Sequence, residues 1–380
     1  MKIETFKLER FQSTWENVVE FNLAESGVHP LSIEEFVGKK EMAKVQKLGL
    51  GYSQTNGTPG LRKNIAALYP GIDLDQIQVT TGSTEANFLL MWSLIEEGDE
   101  VVFELPNYMQ MWGLLRGFGA SVKTFCLREE KNWAPDLAEL GRAVTKKTKL
   151  IILTNPNNPT GAVLSRDEMK EIIRIARKSG AWILADEVYQ GAERVGRRTP
   201  SFWGRYDKVI CVNGISKAYG LAGLRIGWIA GPLGLIKSVW PYHDYTTISP
   251  SILSDKLATI ALSPANRDKI LRRTKDILNT NFPVLETWLK KHPGLFSFVP
   301  PKAGAIAFVR YDLAVNSTSL AEKIIREQSV FLAPGDLFEM DRYLRIGFGA
   351  EEKSLRRALA RVDKVLKADS GHRAGSSSGA

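Results

Sequence analysis

Two cysteines in 380 residues, Cys126 and Cys211, are too few for a disulfide framework. Cys211 lies in the apolar run Val209-Ile210-Cys211-Val212, where a small buried hydrophobe is its ordinary role. Four scattered histidines (His29, His243, His292, His372) form no ligand spacing and no H-E-x-x-H occurs, so no metal is expected. No apolar stretch approaches the roughly 18 residues needed to span a bilayer. Met1-Lys2-Ile3-Glu4-Thr5 lacks a signal-peptide core, which makes a cytoplasmic protein without membrane attachment the expectation. There is no G-x-x-x-x-G-K-[ST] loop, and Gly220, Gly223 and Gly227 do not make G-x-G-x-x-G. Charge of one sign is nowhere gathered. The 51 basic residues are interspersed with 42 acidic ones, so the net charge of +9 does not form the stripe of a nucleic-acid binder.

The remaining composition, 44% hydrophobic and 24% charged, is that of an ordinary globular chain long enough for two domains. Its middle alternates apolar runs (Ile77-Gln78-Val79-Thr80, Glu100-Val101-Val102-Phe103, Leu150-Ile151-Ile152-Leu153, Ala181-Trp182-Ile183-Leu184-Ala185, Val209 to Val212, Ile226 to Ala230) with helical patterns. Two of the helices are expected at 84–95 and at 169–178, the second behind the capping box Ser165-Arg166-Asp167-Glu168. Near-continuous apolar strands suit a mostly parallel sheet covered by helices on both faces, an α/β fold. Beyond about residue 245, long charged helices (268–290, 354–368) and strand-like pieces (296–299, 305–309) predict a smaller α+β domain. The predicted organisation is a large domain over 46–245, a small domain from 1–45 and 246–368, and a disordered tail over 369–380, which is poor in hydrophobic residues.

Several polar groups stand where predicted strands end, the edge at which parallel sheets bind ligands. Thr80-Thr81-Gly82-Ser83-Thr84 opens a helix, whose free N–H groups favour an anion; a plain N-cap is the alternative. Asn158, in Asn155-Pro156-Asn157-Asn158-Pro159-Thr160-Gly161, either faces a ligand oxygen or sits in a rigid turn. Asp186, followed by Tyr189, is an aspartate at the end of a buried strand, costly unless paired; a pyridinium nitrogen or a helix N-terminus would serve. Tyr108, after Pro106-Asn107, either stacks on an aromatic ring or packs without a ligand. Arg345, inside Tyr343-Leu344-Arg345-Ile346-Gly347, needs an anion, from a substrate carboxylate or a structural salt bridge. Lys217, in Gly214-Ile215-Ser216-Lys217-Ala218-Tyr219-Gly220, with Arg225 eight residues on, has the form of a Schiff-base lysine beside a phosphate site.

In their order along the chain, from Gly82-Ser83-Thr84 through Tyr108, Asn158, Asp186 and Lys217 to Arg345, these motifs resemble the class I/II aminotransferases of the fold type I pyridoxal-phosphate enzymes, over roughly residues 20 to 365. The resemblance implies a large domain with a mostly parallel sheet plus a small α+β domain. It also implies pyridoxal 5'-phosphate held on Lys217, with Asp186 at the pyridine nitrogen, Tyr189 and Asn158 at the ring oxygen, and Tyr108 on the ring. Ser83, Thr84, Gly82, Ser216 and Arg225 fall at the phosphate and Arg345 at the substrate carboxylate. Tyr52 matches a tyrosine that reaches the neighbouring subunit's phosphate, which implies a homodimer with shared sites acting on an amino acid and a 2-oxo acid. Two positions depart from the family pattern. Gly214 stands where a phosphate-binding Ser or Thr is frequent. The substrate loop reads Ala24-Glu25-Ser26-Gly27-Val28-His29-Pro30, similar to members of the capreomycidine-synthase type, which cyclise an arginine derivative. Ser26 and Gly27 are therefore expected at the substrate, and a lyase or cyclase on the same fold is the alternative to a transaminase. Glu25 and Asp244 are candidates to meet a cationic substrate side chain, the alternative being solvated surface acids.

Overall fold

The computed structural model describes residues 2–375. An eight-stranded sheet forms its centre, in the spatial order Ile77–Thr80, Gly227–Ala230, Val209–Gly214, Trp182–Asp186, Thr148–Thr154, Glu100–Leu105, Ser121–Arg128, Ala134–Pro135. The run from Val209–Gly214 across to Ser121–Arg128 is parallel throughout. Gly227–Ala230 runs antiparallel to both its neighbours, and Ala134–Pro135 antiparallel to Ser121–Arg128.

Alternation along each strand divides the side chains between two cores. Ile151, Leu153, Ile183 and Ala185 enter one cluster, while Leu150, Ile152 and Leu184 enter the other. Both faces are thus removed from water, and each buried Ile or Leu contributes about 1.5–3 kcal/mol. The strand Ser121–Arg128 has no counterpart in the sequence reading. It is half exposed and mixes Ser, Lys and Thr with its apolar residues, so it lacks the continuous run that marks a doubly covered strand.

Helices cover the sheet where the capping signals place them. Arg166–Ser179 begins at Ser165, whose Oγ accepts from the Glu168 N–H at 3.2 Å, while Glu168 Oε2 accepts from the Ser165 N–H at 2.6 Å. It stops at Gly180, where φ is +80°, and buries Met169, Ile172, Ile173 and Ile175. Ser83–Leu94 is buried against the second core.

A separate antiparallel sheet, in the order Phe296–Phe298, Ile306–Tyr311, Tyr343–Gly347, Ala333–Pro334, is built from the last third of the chain. Near the N-terminus, Phe21–Asn22 runs parallel to Val330–Phe331. The last helix, Glu352–Gly375, runs past residue 368 into the stretch expected to be a disordered tail. No proline interrupts it, and a single glycine such as Gly371 costs a helix only about 1 kcal/mol. The remainder of that tail, 376–380, lies outside the described residues. Among the described residues no helix is long and apolar enough to cross a membrane, and no group of three or more His, Cys, Asp or Glu is placed to hold a metal.

Candidate active site

The C-terminal ends of the parallel strands and the loops after them enclose a cavity of about 450 Å³. Ser83, Thr84, Tyr108, Asn158, Asp186, Tyr189, Ser216, Lys217, Arg225, Arg345 and Ser26 all line it. Gly82 and Gly27 contribute backbone beside it. A Cβ on Gly82 would lie 2.4 Å from Arg225 Nη2, and one on Gly27 would lie 3.5 Å from Lys217 Cα. Tyr52 is not among the lining residues; it is 88% exposed. Asp244 is exposed just beyond the helix Leu233–His243 and does not line the cavity.

At one corner the helix Ser83–Leu94 points its N-terminus at the cavity, with Gly82 (φ +82°) as its cap. The guanidinium of Arg225 crosses Gly82, so only a residue without a side chain fits there. Arg225 Nη1 also lies 3.5 Å from Ser216 Oγ. A helix terminus, an arginine and a hydroxyl on one spot make an anion site. Gly214 has a packing reason: a Cβ there would lie 3.0 Å from the Ile226 carbonyl and 3.3 Å from Gly227 Cα, on the adjacent antiparallel strand. No side chain from position 214 reaches the corner, where the hydroxyl beside Arg225 is that of Ser216.

Asp186 is 3% exposed. Burial pushes its carboxyl up to about 6 against the opposing donors, the Val188 backbone N–H and the Asn87 amide, neither of which is a cation. The Tyr189 hydroxyl is buried without a hydrogen-bond partner among the described residues. Arg345 is 1% exposed; its Nη1 donates to Asn158 Oδ1 at 2.9 Å, its Nη2 to the Ala24 carbonyl at 2.6 Å, and its Nε has no partner. No carboxylate lies within ion-pair distance of Arg345 among the described residues; Glu25 and Glu9 favour its charge only from farther off, while burial opposes it. A buried acid lacking a cation, a buried hydroxyl lacking an acceptor and a buried guanidinium lacking a carboxylate are the features that a protonated pyridine, its ring oxygen and a bound amino acid would complete.

The loops are held by groups the sequence reading did not single out. Of the three asparagines in 155–158, only Asn158 lines the cavity. Asn155 Oδ1 accepts from the Leu164 N–H, and Asn157 donates to Glu104 Oε1 at 2.8 Å and to the Pro106 carbonyl at 3.1 Å. Glu104, fully buried and pushed up by burial to about 8, also accepts from the Thr154 N–H at 3.1 Å. It thereby ties together the turns that carry Tyr108 and Asn158. Glu9, Gln12 and Glu16, on and after the first helix, Lys7–Trp15, also line the cavity, and Glu9 Oε1 accepts from the Tyr108 hydroxyl at 2.8 Å. Glu25 also lines the cavity, but its carboxylate is paired with the Lys217 ammonium at 2.7 Å.

Residues 29–362 match the family model described as aminotransferase class I and II. Capreomycidine synthase of Streptomyces vinaceus is 30% identical over 353 residues, covering 91% of this chain and 89% of that protein. An aspartate aminotransferase of Streptomyces avermitilis is 28% identical over 83% of this chain and 81% of its own length. Among solved structures, a PLP-dependent aminotransferase from Streptococcus suis superposes with a TM-score of 0.91 at 34% identity, over 97% of this chain and 99% of that one. A PLP-dependent cyclase superposes with a TM-score of 0.88 at 25% identity, over 97% of this chain and 98% of that one. The chain belongs to the class I and II aminotransferase family, and its cofactor is pyridoxal phosphate.

Proposed function

We propose that this chain moves an amino group from an L-amino acid to a 2-oxo acid, a transfer of nitrogenous groups, with Lys217 as the cofactor-bearing residue. The observation that carries the reading is the convergence of the Lys217 amine, the Asp186 carboxyl and the Arg345 guanidinium on one cavity. Pyridoxal phosphate, when bound, supplies an aldehyde that condenses with amines and a ring that accepts the electrons left when Cα loses its proton. Asp186 holds a proton on the ring nitrogen, which relieves the cost of its own burial. Tyr189 and the Asn158 amide meet the ring oxygen. Ser83, Thr84, Ser216, Arg225 and the backbone at Gly82 would hold the phosphate, and Tyr108 would pack against the ring. Arg345 grips the α-carboxylate, with Ser26 and Gly27 lining the substrate's side of the pocket. Lys217 Nζ would hold the cofactor's aldehyde carbon and, as a free amine, would take the proton from Cα of the bound amino acid.

The same reading divides the chain at 46–245 and at 1–45 with 246–368; the pairing of Phe21–Asn22 with Val330–Phe331 supports it. It also makes the protein a cytoplasmic homodimer. Exposed Leu50 and Tyr52 adjoin Ser53, whose Oγ donates to the Pro250 carbonyl, near exposed Tyr245 and Ile248, an apolar surface suited to a second subunit with Tyr52 reaching its phosphate.

A second reading is a lyase or cyclase acting on an amino acid with a cationic side chain. It is favoured by the wall of Glu9, Gln12 and Glu16, and by the likeness to a synthase and a cyclase. A panel of amino donors, with pyruvate and 2-oxoglutarate as acceptors, tests the proposal. Turnover that requires the 2-oxo acid supports transamination. Turnover of a cationic donor with no acceptor overturns it in favour of the second reading.

A further inference from the structure

We propose that Glu25 is a catalytic residue acting on the Lys217 nitrogen: it is the fixed anion that decides when this amine is protonated and when it is free to react. The inference rests on reading Lys217 as the cofactor-bearing lysine.

The geometry is specific. Glu25 Oε1 accepts from Lys217 Nζ at 2.7 Å, from the Ser26 N–H at 2.9 Å and from the Gly27 N–H at 2.8 Å. The two backbone donors hold the carboxylate in place whether or not the lysine is there. The loop itself is fastened to the strand that carries Arg345. The Gly347 N–H donates to the Leu23 carbonyl, Arg345 Nη2 to the Ala24 carbonyl, and the His29 N–H to the Gly349 carbonyl. A Cβ at Gly347 would come within 2.2 Å of the Glu25 carbonyl, and one at Gly349 within 2.1 Å of the Gly27 carbonyl, so the loop sits directly on that backbone. These contacts keep the Glu25 backbone at the wall of the cavity, and the Ser26 and Gly27 N–H groups hold its carboxylate there independently of Lys217.

The other charged and titratable groups around the cavity do not share this role. Tyr189 and Asp186 come from the central sheet, Arg345 from the small sheet, Arg225 from the phosphate corner, Tyr108 from the turn after Leu105, and Glu9 and Glu16 from the N-terminal segment. Among the described residues, only Glu25 lies within ion-pair distance of Lys217. Burial works against the Lys217 ammonium and Arg345 repels it, yet Glu25 and Tyr189 outweigh both, and the lysine stands above its ordinary value. Lys217 in turn, while an ammonium, holds the Glu25 carboxyl down to about 2 against the effect of burial, so that in this pair both partners carry charge.

Competitive labelling tests this on the folded chain stripped of cofactor. Trace acetic anhydride is applied from pH 7 to 11, and acetylation of Lys217 is read by peptide mass spectrometry. Wild-type Lys217 is expected to titrate above the ordinary 10.5. In Glu25→Gln it is expected to titrate below that value, lowered by roughly one to three pH units, a ten- to thousand-fold gain in free amine at a given pH. Glu25→Asp, which retains the charge but withdraws it, falls between. The pH at which the stripped chain captures pyridoxal phosphate half-maximally moves down by the same amount, a shift that a loss of folding stability alone would not produce. A Glu25→Gln titration within about 0.3 units of wild type overturns the proposal. Should that variant not fold, a wild-type Lys217 titrating below 10.5 overturns it equally. A chain that captures no pyridoxal phosphate while Lys217 still shifts leaves the electrostatic role standing and removes the proposed function instead.

Discussion

Arg345 Nη1 donates to Asn158 Oδ1 at 2.9 Å, joining the small antiparallel sheet to a turn of the central sheet inside the cavity. Both side chains are buried, and the contact leaves the Asn158 amide nitrogen and the Arg345 Nε for ligands. Arg345→Lys keeps a charge but loses the planar fork that bonds Asn158 and the Ala24 carbonyl together. It is expected to raise KM for the amino donor by roughly 10- to 100-fold, the loss of one or two charge-assisted hydrogen bonds. The cofactor's dissociation constant is expected to stay within about threefold. Steady-state kinetics and a cofactor titration on the same variant separate the two effects.

Asp186 makes stability depend on pH in a direction opposite to that of most carboxylates. Its folded value is raised from 3.8 to about 6, so the native state binds the proton more tightly than the unfolded chain. Stability of the cofactor-free protein is therefore lost as pH rises from about 4 through about 6, by about 3 kcal/mol, and is not regained above it. Asp186→Asn removes this cost. Without cofactor the variant should melt higher than wild type at pH 8 and level with it at pH 4. With cofactor at pH 8, wild type should gain several degrees and the variant little. Thermal melts of both proteins at the two pH values check each part.

Gly214→Ser tests whether position 214 can be returned to the family's frequent hydroxyl. The added Cβ would press on the Ile226 carbonyl at 3.0 Å, and backbone on an inner strand gives little. The variant is expected to lose about 1–3 kcal/mol of stability, the range for overpacking a filled site. It is expected to bind pyridoxal phosphate no more tightly than wild type. Ser216→Ala, by contrast, should weaken cofactor binding several-fold with little effect on the melt. Tighter binding in Gly214→Ser would show that the corner lacks a hydroxyl that Ser216 does not provide.

The parts of this site that were legible in the sequence are those fixed by local order. Asp186, Asn158, Lys217 and Ser83 each stand just after an apolar run, and a parallel sheet places the ends of its strands together whatever else the chain does. Glu25 reads as one acid in an aperiodic loop because its partner is 192 residues away. Glu9 and Glu16 sit on and after a helix whose sequence carries no sign that it closes a cavity. Glu104 occupies the end of a strand, where a charged residue usually marks the approach of solvent; its burial depends on Asn157 and Thr154, some fifty residues on. The reversed direction of Gly227–Ala230 is equally silent in composition, since an inner antiparallel strand is as apolar as a parallel one. The half-exposed Ser121–Arg128 lacks the apolar continuity that betrays its neighbours.

Everything proposed for this site depends on Lys217 carrying the cofactor. Borohydride reduction of the protein saturated with pyridoxal phosphate, followed by proteolysis and mass spectrometry, fixes the cofactor wherever it is attached. One phosphopyridoxyl group per chain is expected, on the peptide containing Ser216-Lys217-Ala218, and none in Lys217→Ala. A stoichiometric adduct on any other lysine, or an undiminished adduct in Lys217→Ala, would contradict it.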